Sequence, residues 1–231
     1  MLKSEKEIRV ILWDIDGTLI ENQHSSSKKH ALAVNKIMGV NVQELRNTSG
    51  MTDLQIITEI TSFNSLHAKP SQLQLMLETL EELTNAEHKS MPAKANLNVE
   101  NILKETILKR WQNGILTGNT EKRARLKISS ANLTKYFNYE YSFFGNMFLD
   151  REKLVEHSIK HLGLKNIKKT VIVGDTPLDI ISAKKQNVPV IAVATGNFAY
   201  NDLIEFGPDS IIKNLATENH LFLSFLDTLV K

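Results

Sequence analysis

Apolar positions gather into five short runs: residues 10 to 13, 114 to 116, 141 to 144, 169 to 173 and 188 to 194, with a short sixth at 210 to 212. Short apolar runs rich in Val and Ile suit strands buried on both faces of a parallel sheet. The stretches between them have helical period. Ser27 is placed to cap a helix running to Met38, with Ala31, Val34 and Ile37 or Met38 inward and Gly39 ending it. Thr52 caps a second over residues 53 to about 62, and Pro70-Ser71 opens a longer one with Leu73, Leu77, Leu80 and Leu83 as its stripe. Residues 98 to 112 offer Ile102, Leu103, Thr106 and Ile107 on one face, and further helices follow Asn119 or Thr120, Asp150, Pro177 and residue 217. Strands alternating with helices predict an α/β fold with a parallel sheet.

One stretch breaks the alternation. Residues 40 to 91 contain no convincing core strand, and residues 21 to 91 are too long for a simple crossover. They read as an inserted helical cap, which leaves residues 1–20 and 92–231 as the core. No internal repeat or long low-complexity segment is present.

Composition narrows the class of protein. With 231 residues, 42% hydrophobic and 23% charged, the chain reads as an ordinary globular protein large enough for a sizeable core. A net charge of +2 gives no argument for nucleic acid or an anionic membrane surface. There are no cysteines, hence no disulfide framework or thiolate zinc site. The charged N-terminus carries no signal-like apolar region, and no apolar stretch reaches bilayer length. A cytoplasmic monomer or homodimer is the expectation.

Chemistry concentrates where the apolar runs end. Asp14 and Asp16 follow the first strand, and ligands in open α/β sheets bind beyond the carboxyl ends of strands. An ordinary Asp-Gly turn is the alternative. Thr117-Gly118-Asn119-Thr120 puts a hydroxyl, a glycine and a helix N-terminus at the end of the second strand. Free backbone N–H groups there suit phosphate, and helix capping by Asn119 or Thr120 is compatible with that. Asp175 ends the fourth strand, and Pro177 in a first helical turn sets Asp179 one turn up, facing back. Capping by Asp175 explains the first acid and not the second. Three basic or polar clusters read as solvated faces: His24, Lys28, Lys29 and His30; Lys122, Arg123, Arg125 and Lys127; and His157 with His161.

In sequence order, Asp14-Ile15-Asp16-Gly17-Thr18, Ile115-Leu116-Thr117-Gly118-Asn119, the helix start at Arg151 and Gly174-Asp175-Thr176-Pro177-Leu178-Asp179 resemble the four motifs of the haloacid dehalogenase (HAD) superfamily. The resemblance spans residues 8 to 179 and implies a three-layer Rossmann-like core with an inserted helical cap. It implies Asp14 as nucleophile, Asp16 as acid and base, Thr117 with Gly118 and Asn119 on the phosphoryl oxygens, and Arg151, with Lys153 as fallback, as the cation of the third motif. Residues 46 to 53 resemble the cap loop that reads the substrate in phosphoglycolate-phosphatase-like and β-phosphoglucomutase-like members, which singles out Arg46 and Thr52; a plain Gly turn with a Thr cap is the other reading.

If the first and fourth strands are neighbours, Asp14, Asp16, Asp175 and Asp179 converge. Such a crowd of carboxylates calls for a hard cation, and Mg²⁺ is expected on Asp14, the backbone carbonyl of Asp16, Asp175 and Asp179. The function this implies is a Mg²⁺-dependent phosphatase acting on a small phosphorylated metabolite through an aspartyl phosphate, with the acid at Asp16 arguing against dehalogenase chemistry. A phosphomutase of the β-phosphoglucomutase type and a non-catalytic binding module are the rivals.

Overall fold

The computed structural model describes residues 8–22, 27–163 and 169–229. Six strands, β1 (Val10–Trp13), β2 (Gln112–Thr117), β3 (Phe143–Phe144), β4 (Thr170–Gly174), β5 (Val190–Val193) and β6 (Ser210–Ile212), form one sheet in the order β3-β2-β1-β4-β5-β6. Every pairing is parallel. From β1 the chain builds outward on one side through β2 and β3, then returns to the other side for β4. β1 therefore lies at the topological switch point, where the ends of neighbouring strands open a crevice.

Alternate residues of each strand feed two cores. Ile11, Trp13, Ile115, Val171, Val173, Ile191 and Val193 pack on one face with α4 (Val99–Leu108), α5 (Glu121–Ser130) and α9 (Asn219–Thr228). Val10, Leu12, Leu116, Ile172, Val190 and Ala192 pack on the other with α6 (Arg151–Leu162), α7 (Pro177–Lys185) and α8 (Tyr200–Ile204). The two-residue period of a strand thus divides each run between two helical layers. Trp13 stacks on Phe222 with ring centroids 5.4 Å apart, and its indole N–H donates to Asn113 Oδ1 at 2.9 Å.

The remaining helices, α1 (Lys28–Met38), α2 (Asp53–Phe63) and α3 (Pro70–Ser90), enclose a third apolar cluster built on Ala31, Val34, Ile57, Ile60, Met76 and Leu80. The chain enters and leaves this layer at one place. Ile20 bridges Ala95 in antiparallel fashion, and the Glu21 N–H donates to the Lys94 carbonyl at 2.9 Å.

Several expectations shift at the level of single residues. Ser27 precedes α1 without capping it, because its hydroxyl is engaged with the backbone of Leu45. The buried face of α3 is Met76, Leu77 and Leu80, with Leu73 at its edge and Leu83 outside the cluster. Ile107 is exposed, since α4 ends at Leu108 and the chain turns into β2 earlier than the apolar run alone indicates. Thr176, not Asp175, caps α7. His157 and His161 are exposed and pack against Phe143, with His157 also on Phe148. His24 lies outside the described residues. Among those described, no helix is long and apolar enough to cross a membrane.

Truncating Phe222 to alanine removes the ring that covers Trp13 and leaves a void beside the central strand. The expected loss is about 3–5 kcal/mol of folding free energy, read from the urea midpoint.

Candidate active site

In the β1–β4 pair Trp13 lies opposite Val173, so the residues that follow each strand emerge side by side. The Asp14 N–H donates to the Val173 carbonyl at 2.9 Å, which carries the pairing one residue beyond β1. Asp14, Asp175 and Asp179 each offer a carboxylate oxygen within 4.8 Å of the others, and all three are largely buried. Gly17 turns the chain above them with φ +83°; a Cβ there would stand 2.3 Å from Asp175 Oδ2. Glycine fits on both counts, conformation and space. Thr18 donates to Asp175 Oδ1 at 3.0 Å.

Local helix chemistry places the other members. Asp179 is the third residue of α7 and closes a capping box, its Oδ2 accepting from the Thr176 N–H at 3.1 Å and the Thr176 hydroxyl at 2.7 Å. The box turns its carboxylate back toward the strand end. Arg151, the first residue of α6, is buried and donates through Nη2 to Asp179 Oδ1 at 2.5 Å, the Leu116 carbonyl at 2.8 Å and Asp14 Oδ1 at 3.2 Å. Lys153 is exposed and paired with Glu156, so Arg151 is the cation that reaches the site.

The electrostatics follow from three acids facing one buried cation. Burial raises the Asp14 carboxyl to about 7, with Arg151 opposing and Asp179 and Asp16 adding to the rise. Burial also pushes Asp175 well above the ordinary range, and Asp14 and Asp179 reinforce it. Oxygen donors whose mutual repulsion exceeds what Arg151 offsets form a set suited to a hard divalent cation.

Asp16 turns elsewhere. Its carboxylate accepts from Lys127 Nζ at 2.6 and 2.7 Å and from Asn119 Nδ2 at 2.8 Å. Burial pushes its carboxyl up, but Lys127 and Asn119 outweigh that and leave it below the ordinary value. Its side chain is thus outside the three-carboxylate group, and only its backbone carbonyl remains for a shared ion. Asn119 Nδ2 also donates to the Thr117 hydroxyl at 2.8 Å, while Asn119 Oδ1 accepts from Lys127 at 2.8 Å. The Gly118 carbonyl accepts from the Asp53 N–H at 2.8 Å, and a Cβ on Gly118 would stand 2.3 Å from the Met51 carbonyl oxygen. Glycine there lets the loop before α2 close onto the end of β2.

A cleft of about 140 Å³ joins these groups, lined by Asp14, Asp16, Thr117, Gly118, Asn119, Arg151 and Asp175 at its floor and by residues of α1, α3 and the loop before α2 above. Two residues expected there are not brought to it. Arg46 is exposed and does not line the cleft. Thr52 is buried outside the lining; its hydroxyl caps α2 through Gln55 and donates to the Phe148 carbonyl at 2.8 Å.

Other residues take the places at the cleft. Asp53 is buried between His30 (Nε2 to Oδ1, 2.9 Å), the Arg123 guanidinium and the Thr120 N–H (2.8 Å), and Arg123 donates also to the Thr84 hydroxyl at 2.9 Å. Burial raises the Asp53 carboxyl, yet Arg123 and His30 overcome that and hold it far below the ordinary carboxylate range. Arg123 and Lys127, read from the sequence as part of a solvated face, are both buried. Their four-residue spacing was the available signal: with Thr120 they mark one side of α5, and that side meets the cleft. His30 is likewise buried, not part of a solvated helix start.

Residues 11–193 match the haloacid dehalogenase-like hydrolase family. The chain belongs to that family of hydrolases. It is 26% identical over 216 residues to a phosphoglycolate phosphatase of Agrobacterium fabrum, covering 89% of this chain and 88% of the relative. It is 25% identical over 212 residues to a pyrophosphatase of Oceanobacillus iheyensis, covering 90% and 94%. The fold is shared with a β-phosphoglucomutase of Clostridium difficile, with a TM-score of 0.68 at 13% identity over 97% of this chain and 100% of that one.

Asp14 gives the metal-free protein a definite pH response. Its folded carboxyl titrates near 7 and an unperturbed one near 3.8, so its contribution to stability is full below the lower value and lost as pH rises through the upper. In chelator, wild-type stability minus that of Asp14→Asn should decline between about pH 4 and pH 7. Denaturant midpoints across that range test this, and a difference that grows with pH would contradict it.

Proposed function

We propose that this protein is a Mg²⁺-dependent phosphatase that hydrolyses a small phosphate monoester through an aspartyl phosphate on Asp14. The observation that carries the reading is the meeting of Asp14, Asp175 and Asp179 at one strand edge, with Arg151 against two of them. Membership of the hydrolase family supports it, as do relatives named phosphoglycolate phosphatase and pyrophosphatase. We take residues 1–20 and 92–231 as the catalytic core and residues 21–91 as a cap over the cleft.

Asp14, the Asp16 backbone carbonyl, Asp175 and Asp179 would hold Mg²⁺, directly or through water, and the ion would supply positive charge to offset the repulsion between these carboxylates and an anionic phosphoryl group. An Asp14 carboxylate oxygen attacks phosphorus in line, and the bond from phosphorus to the ester oxygen breaks. Asp16 enters the first step protonated, gives that proton to the leaving alkoxide and later takes one from the water that cleaves the acyl phosphate, restoring Asp14 and releasing phosphate. Asn119 and Lys127 hold the Asp16 carboxylate once its proton has left and so favour the donation. The Thr117 hydroxyl and the N–H groups of Gly118 and Asn119 hold phosphoryl oxygens, and Arg151 fixes Asp14 relative to Asp179. The cap excludes bulk water and shapes the space for the leaving group.

Phosphate release from p-nitrophenyl phosphate and a panel of small phosphate esters tests this. Activity should vanish in EDTA and return with Mg²⁺, and Asp14→Asn should lower turnover about 10⁴-fold or more without unfolding the protein. Turnover retained in that variant removes Asp14 as nucleophile. In a parallel pair, Arg151→Ala should cost at least about 10²-fold in kcat, whereas Lys153→Ala stays within about twofold of wild type.

A further inference from the structure

Burial and the charges of Asp14 and Asp179 all work against an ionised carboxylate at Asp175. A side chain so repelled stays beside its neighbours only if something holds it there. Its two oxygens are held differently. Oδ1 accepts from the Thr18 hydroxyl at 3.0 Å. Oδ2 lies in a slot between two stretches of backbone: a Cβ would stand 2.3 Å from it at Gly17 and 1.6 Å from it at Gly196. No carbon packs that close to an oxygen, so a side chain at either position would drive the carboxylate from its place.

The sheet brings Gly196 to this point. β5 pairs with β4 in parallel, Ala192 opposite Gly174, so the chain leaving β5 emerges beside Asp175. The Thr195 hydroxyl donates to the Gly17 carbonyl at 2.5 Å and ties the loop after β5 to the loop after β1. That carbonyl also accepts from Asn96 Nδ2 at 3.1 Å. The contacts close a ring around one carboxylate: Thr195 on Gly17, Thr18 on Oδ1 and Gly196 against Oδ2. Thr195 and Gly196 do not line the cleft, and both lie past residue 193, where the match to the hydrolase family ends. Any part they play passes through Asp175.

We infer that Thr195 and Gly196 are positioning residues that hold the Asp175 carboxylate toward Asp14 and Asp179, and that they thereby set the affinity of the acid cluster for a divalent cation. The inference rests on the metal-dependent reading of the site and deepens it. Gathering the carboxylates before the ion arrives removes that ordering cost from binding. Groups that orient a metal-binding side chain from behind are typically worth about 10- to 100-fold in metal affinity.

Mg²⁺ alone is the probe, read from urea unfolding midpoints in EDTA and across a series of Mg²⁺ concentrations, because an ion that binds only the folded chain raises the midpoint according to its dissociation constant. Thr195→Val, which keeps the shape and removes the donor, should raise that constant about tenfold, and Gly196→Ala about 10- to 100-fold. Thr195→Ser, which keeps the hydroxyl, should stay within about threefold of wild type. A merely structural role would lower the midpoints with and without Mg²⁺ equally, whereas the positioning role shrinks the rise that Mg²⁺ produces. With p-nitrophenyl phosphate, the Mg²⁺ concentration for half-maximal turnover should rise about tenfold in Thr195→Val while kcat at saturating Mg²⁺ stays within about threefold. An equal Mg²⁺-induced rise in Thr195→Val and wild type overturns the inference, as does a Thr195→Ser variant no better than Thr195→Val. If Gly196→Ala does not fold, the two Thr195 variants decide. A wild type that Mg²⁺ stabilises but that releases no phosphate, with the rise still lost in Thr195→Val, sinks the phosphatase reading and leaves the positioning role standing. A wild type whose midpoint Mg²⁺ does not move sinks the metal site and the inference together.

Discussion

Repulsion among buried carboxylates at the end of one strand pair is the constraint on which this structure depends. Asp14 and Asp175 stand on neighbouring strand ends because β1 and β4 pair in register, and Asp179 is turned toward them by its own capping box. Arg151 offsets part of that charge from inside the core, where an unpaired guanidinium would be very costly. The strand pairing, the glycine above Asp175 and the placement of α6 all serve to hold groups that would otherwise move apart. Stability is given up locally to keep a charged, cation-ready edge, as is usual where chemistry is done.

A second buried network joins the helical layer to that edge. Asp53, at the start of α2, reaches Arg123 and Thr120 of the α5 region and His30 of α1, and its N–H reaches the Gly118 carbonyl. The partners come from α1, the end of β2 and the α5 region, so the wall of the cleft has the geometry of an ion pair and not that of a flexible loop. The same network orients His30. This wall of the cleft is thereby tied to one carboxylate that burial alone would have neutralised, and that Arg123 keeps ionised.

Much of this was legible along the chain. The strands announced themselves as short apolar runs because a parallel strand is buried on both faces, and the acids that end them were conspicuous against that background. Asp14, Asp16, Thr117, Asp175 and Asp179 stood out as candidates from their positions after strands. Arg151 was named but had a rival in Lys153, since two residues along a helix start look alike until one is seen to point into the core. The residues missed were those whose partners lie far off in sequence. Lys127 meets Asp16 across 111 positions and Arg123 meets Asp53 across 70. Arg46 and Thr52 failed the other way, since a glycine-containing loop has many paths and the sequence does not show which of its residues turn inward.

By itself the sequence determined the alternation of strand and helix, the inserted helical stretch and the identity of the acids, because period, length and punctuation are local properties. Only the tertiary structure decided that the Asp16 carboxylate turns from the acid cluster to Lys127, that Arg151 rather than Lys153 is buried, and that His30 and Asp53 form the cleft wall. Those outcomes depend on which long-range partner removes the cost of burying a charge, and no local pattern in the chain encodes that choice.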